Sequence, residues 1–190
     1  VVALLPGSRR SEIQYIAPRL FDAAAEMAKL RSGLRFVLPV VPGLRHLVEP
    51  LRRQHEASVA VELIDGRSHE VLAACDVTLI ASGTATLEAA LFKRPMVIGY
   101  RIAWLSWQIM RHMRYQPWIG LPNVLAREFL VPERLQDELR PETLAADVLR
   151  WLDRPAEAER VAARFAEMHH LLKRDTARAA TDAIAQVVEA

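Results

Sequence analysis

The sequence predicts an α/β fold built on a Rossmann-like, doubly wound parallel sheet. Three observations predict it. Apolar strand patterns alternate with amphipathic helical patterns, giving five strands in succession. The connections between them are short, as in βαβ units whose helices cover both faces of a sheet. The strand patterns are nearly continuous apolar runs rather than alternating ones, the mark of strands buried on both sides. Ligands of such sheets bind beyond the carboxyl ends of the strands, so the turns that leave the strands are the places to look for function.

Residues 1–5, Val-Val-Ala-Leu-Leu, read as the first strand. The turn Pro6-Gly7-Ser8-Arg9-Arg10 follows, and Ser11 is a good N-cap for a helix with Ile13, Ile16, Ala17, Leu20, Ala23, Ala24 and Met27 on one face. Gly33 marks its stop. Residues 36–40 form a second strand, with Pro39 near its end, where proline is best tolerated. A helix is expected over 43–55 and a third strand over 59–64. After Asp65-Gly66-Arg67, Ser68 is placed to cap a helix running through Ala74. Residues 77–81 are the fourth strand, Ser82-Gly83-Thr84 a second tight turn, 85–92 a helix and 96–100 the fifth strand. An aromatic and basic segment occupies 104–118. Helical patterns are expected near 132–138, 141–152 and 155–188. No internal repeat or low-complexity tract interrupts the chain. The division this suggests is a Rossmann-like domain over 1–152 and a helical extension over 153–190 that packs on the fold or on a partner domain.

Composition narrows the function classes. The chain has 190 residues, 52% hydrophobic and 25% charged, with a net charge of +2. That is a globular composition, and the near balance of charge gives no reason to expect a nucleic-acid partner. The single cysteine, Cys75, lies in an apolar run and reads as a buried small hydrophobe. One thiol forms no internal disulfide, which suits a reducing compartment. The six histidines show no ligand spacing with carboxylates, and no metal site is expected. No stretch is long and apolar enough to span a bilayer. The chain opens inside an apolar strand without a methionine, which reads as a fragment whose preceding part is absent.

Three turns carry candidate chemistry. In Pro6-Gly7-Ser8-Arg9, glycine permits close backbone approach. The start of a helix offers amides to an anion, and Arg9 adds a fork suited to phosphate. In Ser82-Gly83-Thr84 a strand again delivers glycine, hydroxyls and a helix start. Glu88 follows about one turn later, placed either to hold a pair of sugar hydroxyls or to complement the helix dipole, with Thr84 as cap. In Gly120-Leu121-Pro122-Asn123, proline favours an extended Leu121 and Asn123 would present its amide to the crevice. A fourth region, 104–118, sets Trp104 and Trp107 among Arg101, Arg111, His112 and Arg114. That mixture suits an anionic membrane surface or a helix packed on the fold with its arginines in water.

Taken together, Leu5-Pro6-Gly7-Ser8-Arg9-Arg10-Ser11-Glu12-Ile13, Ala81-Ser82-Gly83-Thr84-Ala85-Thr86-Leu87-Glu88 and Leu121-Pro122-Asn123-Val124-Leu125 resemble the lipid-A-disaccharide synthase family. The segments Pro95-Met96-Val97-Ile98-Gly99-Tyr100-Arg101 and Val131-Pro132-Glu133-Arg134-Leu135-Gln136 fit the same pattern, and the resemblance covers essentially the whole chain. It implies one half of a two-domain GT-B glycosyltransferase, the C-terminal donor-binding half, with the N-terminal acceptor domain and its general base absent. The implied reaction is an inverting transfer from UDP-2,3-diacylglucosamine to 2,3-diacylglucosamine 1-phosphate with release of UDP, using no metal and no cofactor. The fragment alone should be inactive. Arg9 is implied to meet the pyrophosphate and Asn123 to shape the donor site, both as catalytic residues. Gly7, Ser8, Ser82, Gly83 and Thr84 are implied at phosphate or sugar oxygens and Glu88 at the ribose. Glu133 and Gln136 match the family without an assigned role. Implied surroundings are the cytoplasmic face of the bacterial inner membrane, with peripheral lipid contact and room for a homodimer. Competing readings are another GT-B UDP-sugar enzyme, of the peptidoglycan glucosaminyltransferase or UDP-N-acetylglucosamine 2-epimerase type, and a non-catalytic nucleotide-binding module.

Overall fold

The computed structural model describes residues 1–113 and 115–188. Its centre is a six-stranded sheet in the order β3-β2-β1-β4-β5-β6. The strands are β1 (Val2–Leu5), β2 (Phe36–Val40), β3 (Val61–Asp65), β4 (Val77–Ala81), β5 (Met96–Tyr100) and β6 (Glu133–Leu135). All neighbours pair parallel. The chain winds outward from β1 to β3, returns to the middle and winds the other way from β4 to β6. The reversal falls between β1 and β4, which pair from Val2↔Val77 to Leu5↔Ile80. The turns leaving these two strands therefore emerge side by side.

The central strands are apolar because both faces are covered. Every residue of β1 and β4 is buried. On one face α1 (Arg10–Leu30) packs against α2 (Arg45–His55) and α7 (Pro141–Asp153). On the other, α4 (Thr84–Leu91) packs against α6 (Leu121–Ala126) and α8 (Pro155–Leu172), with α3 (Ser68–Ala74) beside β2. Phe21 of α1 and Phe165 of α8 are fully buried, and burying such a side chain stabilises the fold by about 1.5–3 kcal/mol. The Trp151 indole donates to the Met96 carbonyl at 3.1 Å. Because Val161 and Phe165 belong to the same core as the sheet, α8 is built into the fold beyond residue 152. Burial raises the Cys75 thiol to about 11.

Several local expectations are corrected. Residues 132–138 are not helical: Glu133–Leu135 form β6, and Gln136–Glu138 make a short 3-10 turn. The Ile98 amide donates to the Pro132 carbonyl at 2.9 Å, so pairing with β5 prevails over local propensity. The helix expected over 155–188 breaks into α8 and α9 (Thr176–Val188), where the Asp175 carboxylate accepts from the Arg178 amide at 3.0 Å. Helix α1 starts at Arg10 rather than being capped by Ser11. Ser68 is the first residue of α3, preceded by Arg67 in the left-handed region (φ 55°). The last helix buries none of its residues. Among the described residues no helix is long and apolar enough to cross a membrane.

Candidate functional site

Gly7 opens the turn after β1 at φ +105°, a region L side chains rarely enter. A Cβ there would come within 2.5 Å of Glu12 Oε2 and 2.7 Å of Glu12 Cβ. The space is taken because Glu12 folds back over the turn. Its Oε2 accepts from the amides of Ser8 (2.9 Å) and Arg9 (3.2 Å), and its Oε1 from Arg9 Nη1 (2.6 Å). The expectation of free amides at this turn is thus overturned at Ser8 and Arg9. Arg9 remains 79% exposed. Its other guanidinium donors have no partner among the described residues, so the group keeps an edge for an anion.

The turn after β4 is the more open one. The Ser82 amide donates to the Gly99 carbonyl at 2.9 Å, and its hydroxyl to the Ile119 carbonyl at 3.3 Å. Gly83 is extended, and a Cβ on it would meet nothing within 4 Å. Thr84 does not cap the helix; it is the first helical residue. Thr86 turns back instead, its amide (3.1 Å) and hydroxyl (2.7 Å) both donating to the Gly83 carbonyl. Among the described residues the amides of Thr84 and Ala85 have no partner, and they sit at the positive end of α4. Glu88, on the next turn, is 41% exposed.

The third motif takes a different part from the one expected. Asn123 is fully buried and does not present its amide to the crevice. Its Nδ2 donates to the Val131 carbonyl (2.9 Å) and to Glu133 Oε1 (2.8 Å), while its Oδ1 accepts from the Val131 amide (3.1 Å). Glu133, 9% exposed, also accepts from the amides of Ile119 (2.8 Å) and Gly120 (2.9 Å). Gly120 sits tightly, since a Cβ would fall 2.3 Å from Ile98 Cδ1 and that side chain would have to shift. Glu133 and Asn123 therefore clamp the 119–120 backbone against the Ser82 hydroxyl. Gln136 makes a similar clamp: its side chain accepts from the Ile102 amide (2.9 Å) and donates to the Ile102 carbonyl (3.2 Å). Neither role was legible from the sequence, because both residues act on backbone far along the chain. The one available signal was a carboxylate beside Val131-Pro132, an unusual place for a solvated charge.

Helix α5 (Trp104–Met113) follows β5 on the same edge of the sheet and buries none of its residues. Trp104, Leu105, Ile109 and Met113 are exposed, Trp107 is half-buried, and Arg114 lies outside the described residues. The Tyr100 hydroxyl meets Met110 Sδ at 3.6 Å. Burial, with the Glu12 carboxylate adding to it, pushes Tyr100 above the usual phenol range. An open cavity of about 560 Å³ separates α5 from the 3-10 turn, lined by Trp107, Arg111, Leu135, Gln136 and Arg140 among others. A second, of about 540 Å³, lies between β6 and α7 and involves neither glycine turn. Of the expected residues, Gly7, Ser8 and Arg9 lie on the turn leaving β1, and Ser82, Gly83, Thr84 and Glu88 on the turn and helix leaving β4, the strand paired beside it, while Asn123 is buried on α6.

Comparison with known proteins is consistent in direction. The family model described as lipid-A-disaccharide synthetase matches residues 1–188. Lipid-A-disaccharide synthase of Albidiferax ferrireducens is 53% identical over 193 residues, covering 100% of this chain and 50% of the relative. That of Verminephrobacter eiseniae is 49% identical over 192 residues, covering 99% and 49%. The chain thus spans about half the length of the curated relatives it matches. Among solved structures, WaaG, a glycosyltransferase involved in lipopolysaccharide biosynthesis, aligns with a TM-score of 0.62 at 18% identity, over 92% of this chain and 43% of its own. The UDP-GlcNAc 2-epimerase of Neisseria meningitidis aligns with a TM-score of 0.57 at 15% identity, over 91% and 44%. These likenesses show the fold, a doubly wound parallel α/β unit that spans under half of each neighbour.

Proposed function

The chain belongs to the lipid-A-disaccharide synthase family, and on that premise we propose that it is the donor-binding half of the enzyme. The observation that carries the proposal is the pairing of two strand-end turns at the reversal point of the sheet, with unpartnered amides at the start of α4 on one side and the exposed Arg9 on the other. A nucleoside diphosphate fits that pair. The Thr84 and Ala85 amides take phosphate oxygens, Arg9 offers the free edge of its guanidinium across the crevice, and Glu88 accepts from the ribose hydroxyls. Gly83 lets the phosphate approach the backbone. Glu12 keeps the Arg9 side chain and the first turn in place, while Glu133 and Asn123 hold the floor.

The reaction we propose is the one that family membership implies. A hydroxyl of 2,3-diacylglucosamine 1-phosphate attacks the anomeric carbon of UDP-2,3-diacylglucosamine, the bond from that carbon to the phosphate oxygen breaks, and UDP leaves with the electron pair. The hydroxyl proton passes to a base on the other half of the protein. Preorganised donors aimed at the charge that builds on the leaving phosphate lower the barrier. Arginine and helix amides suffice for this, so no metal is invoked. Both substrates carry acyl chains, which places the work at a lipid surface. We assign α5 to that contact and the cytoplasmic face of the inner membrane as its location. The test is product formation: the longer protein carrying this chain, supplied with both acylated substrates, should release UDP and form an inverted disaccharide. UDP release from the donor without disaccharide, or no turnover of either substrate, contradicts the proposal.

A further inference from the structure

Glu88 stands at the fifth position of α4, past the first turn where a helix rewards an acidic side chain. Its carboxylate is held instead by a residue from another strand end. His69, on the first turn of α3, places Nε2 at 3.2 Å from Glu88 Oε2. The imidazole leans on Phe92 at the end of α4, with ring centroids 5.7 Å apart and planes tilted by 46°. A carboxylate only accepts, so the proton of this contact sits on Nε2. Among the described residues Glu88 Oε1 has no partner. His69 is 70% exposed, and a contact so open to water contributes little to folding.

We propose that His69 is a positioning residue for the nucleotide: by occupying one oxygen of Glu88 it turns the other toward the crevice, where it accepts from the ribose diol of a nucleoside diphosphate. The proposal rests on the donor-site reading and adds the end of β3 to it. The aromatic contact matters because it limits the imidazole to few orientations, and the carboxylate inherits that order before ligand arrives. A carboxylate fixed in advance loses less freedom on binding.

The test uses the ribose hydroxyls as the readout. Affinity of the full-length protein is measured for UDP and for 2′,3′-dideoxy-UDP, which lacks the diol. Wild type should prefer UDP. His69→Ala should weaken UDP by about five- to tenfold, part of one hydrogen bond to a charged group, and leave the dideoxy nucleotide unchanged, so the preference collapses. His69→Gln, which retains an N–H donor, should restore part of it. Equal weakening of both nucleotides in His69→Ala would overturn the proposal, since a merely structural or electrostatic role does not sense the diol. A wild type that binds both alike would also overturn it while leaving the donor site standing. Failure of wild type to bind UDP at all would remove the donor-site reading and this inference together.

Discussion

At the scale of single residues the proposed site rests on Arg9 and two glycines, and each has a distinct signature. Arg9→Ala in the full-length protein should lower kcat/KM by the equivalent of about 2–4 kcal/mol, the usual effect of losing one preorganised donor to developing charge. The fold should be retained, because the side chain is exposed. Arg9→Lys should recover little of the rate, as the planar fork is lost. Normal turnover in Arg9→Ala would show that the arginine only decorates the turn. The glycines separate a structural need from a functional one. Gly83→Ala should fold normally, since its backbone is extended and the added methyl meets nothing, yet it should bind UDP poorly because the methyl stands where the phosphate approaches. Gly7→Ala should lose stability outright against Glu12. Comparable melting temperatures for the two variants would refute this distinction. Glu133→Gln leaves an N–H donor facing another donor among Ile119, Gly120 and Asn123. It should cost on the order of 1–3 kcal/mol, read as a lowered denaturation midpoint. An unchanged midpoint would mean that the clamp is not needed.

Elements differ in how plainly the sequence announces them. The strands β1, β2, β4 and β5 were legible because covered parallel strands are continuous apolar runs. Their glycine turns were legible because few residues suit a strand-to-helix corner at a sheet edge. The sixth strand was hidden: it has three residues, one of them the buried Glu133, and pairing with β5 rather than any local pattern creates it. The break between α8 and α9 rests on one carboxylate cap at Asp175, too slight a signal beside an otherwise unbroken helical period. Asn123 was placed in the right neighbourhood but given the wrong direction, since nothing local shows that Glu133, ten residues on, takes its amide. Helix α5 is the element whose role depends on surroundings. Its exposed Trp104, Leu105, Ile109 and Met113 lie on a segment that also carries Arg111. Binding to anionic vesicles should weaken as salt rises, and Trp107→Ala with Arg111→Ala should reduce it several-fold. Unchanged vesicle binding in that double variant would confine α5 to packing.

For the molecule as a whole, one continuous core runs from β1 through α8, so the two strand-end turns are held by one fold within this chain, which spans half of its relatives' length. The Cys75 thiol, raised by burial, reports on that core. It should resist thiol reagents at pH 8 in the native protein and react on unfolding, and rapid labelling without denaturant would contradict a closed core. Family membership supports glycosyl transfer as the proposed chemistry, and the geometry supports the reversal point as the proposed nucleotide site. The claim that joins them is that UDP binds at the reversal point between β1 and β4. Backbone amide shifts followed during titration with UDP and with ADP test it most directly. The account predicts a preference for UDP, with the largest shifts at Thr84 and Ala85 and smaller ones at Ser8, Arg9 and His69. Equal response to both nucleotides, or shifts centred on the cavity between β6 and α7, would contradict it.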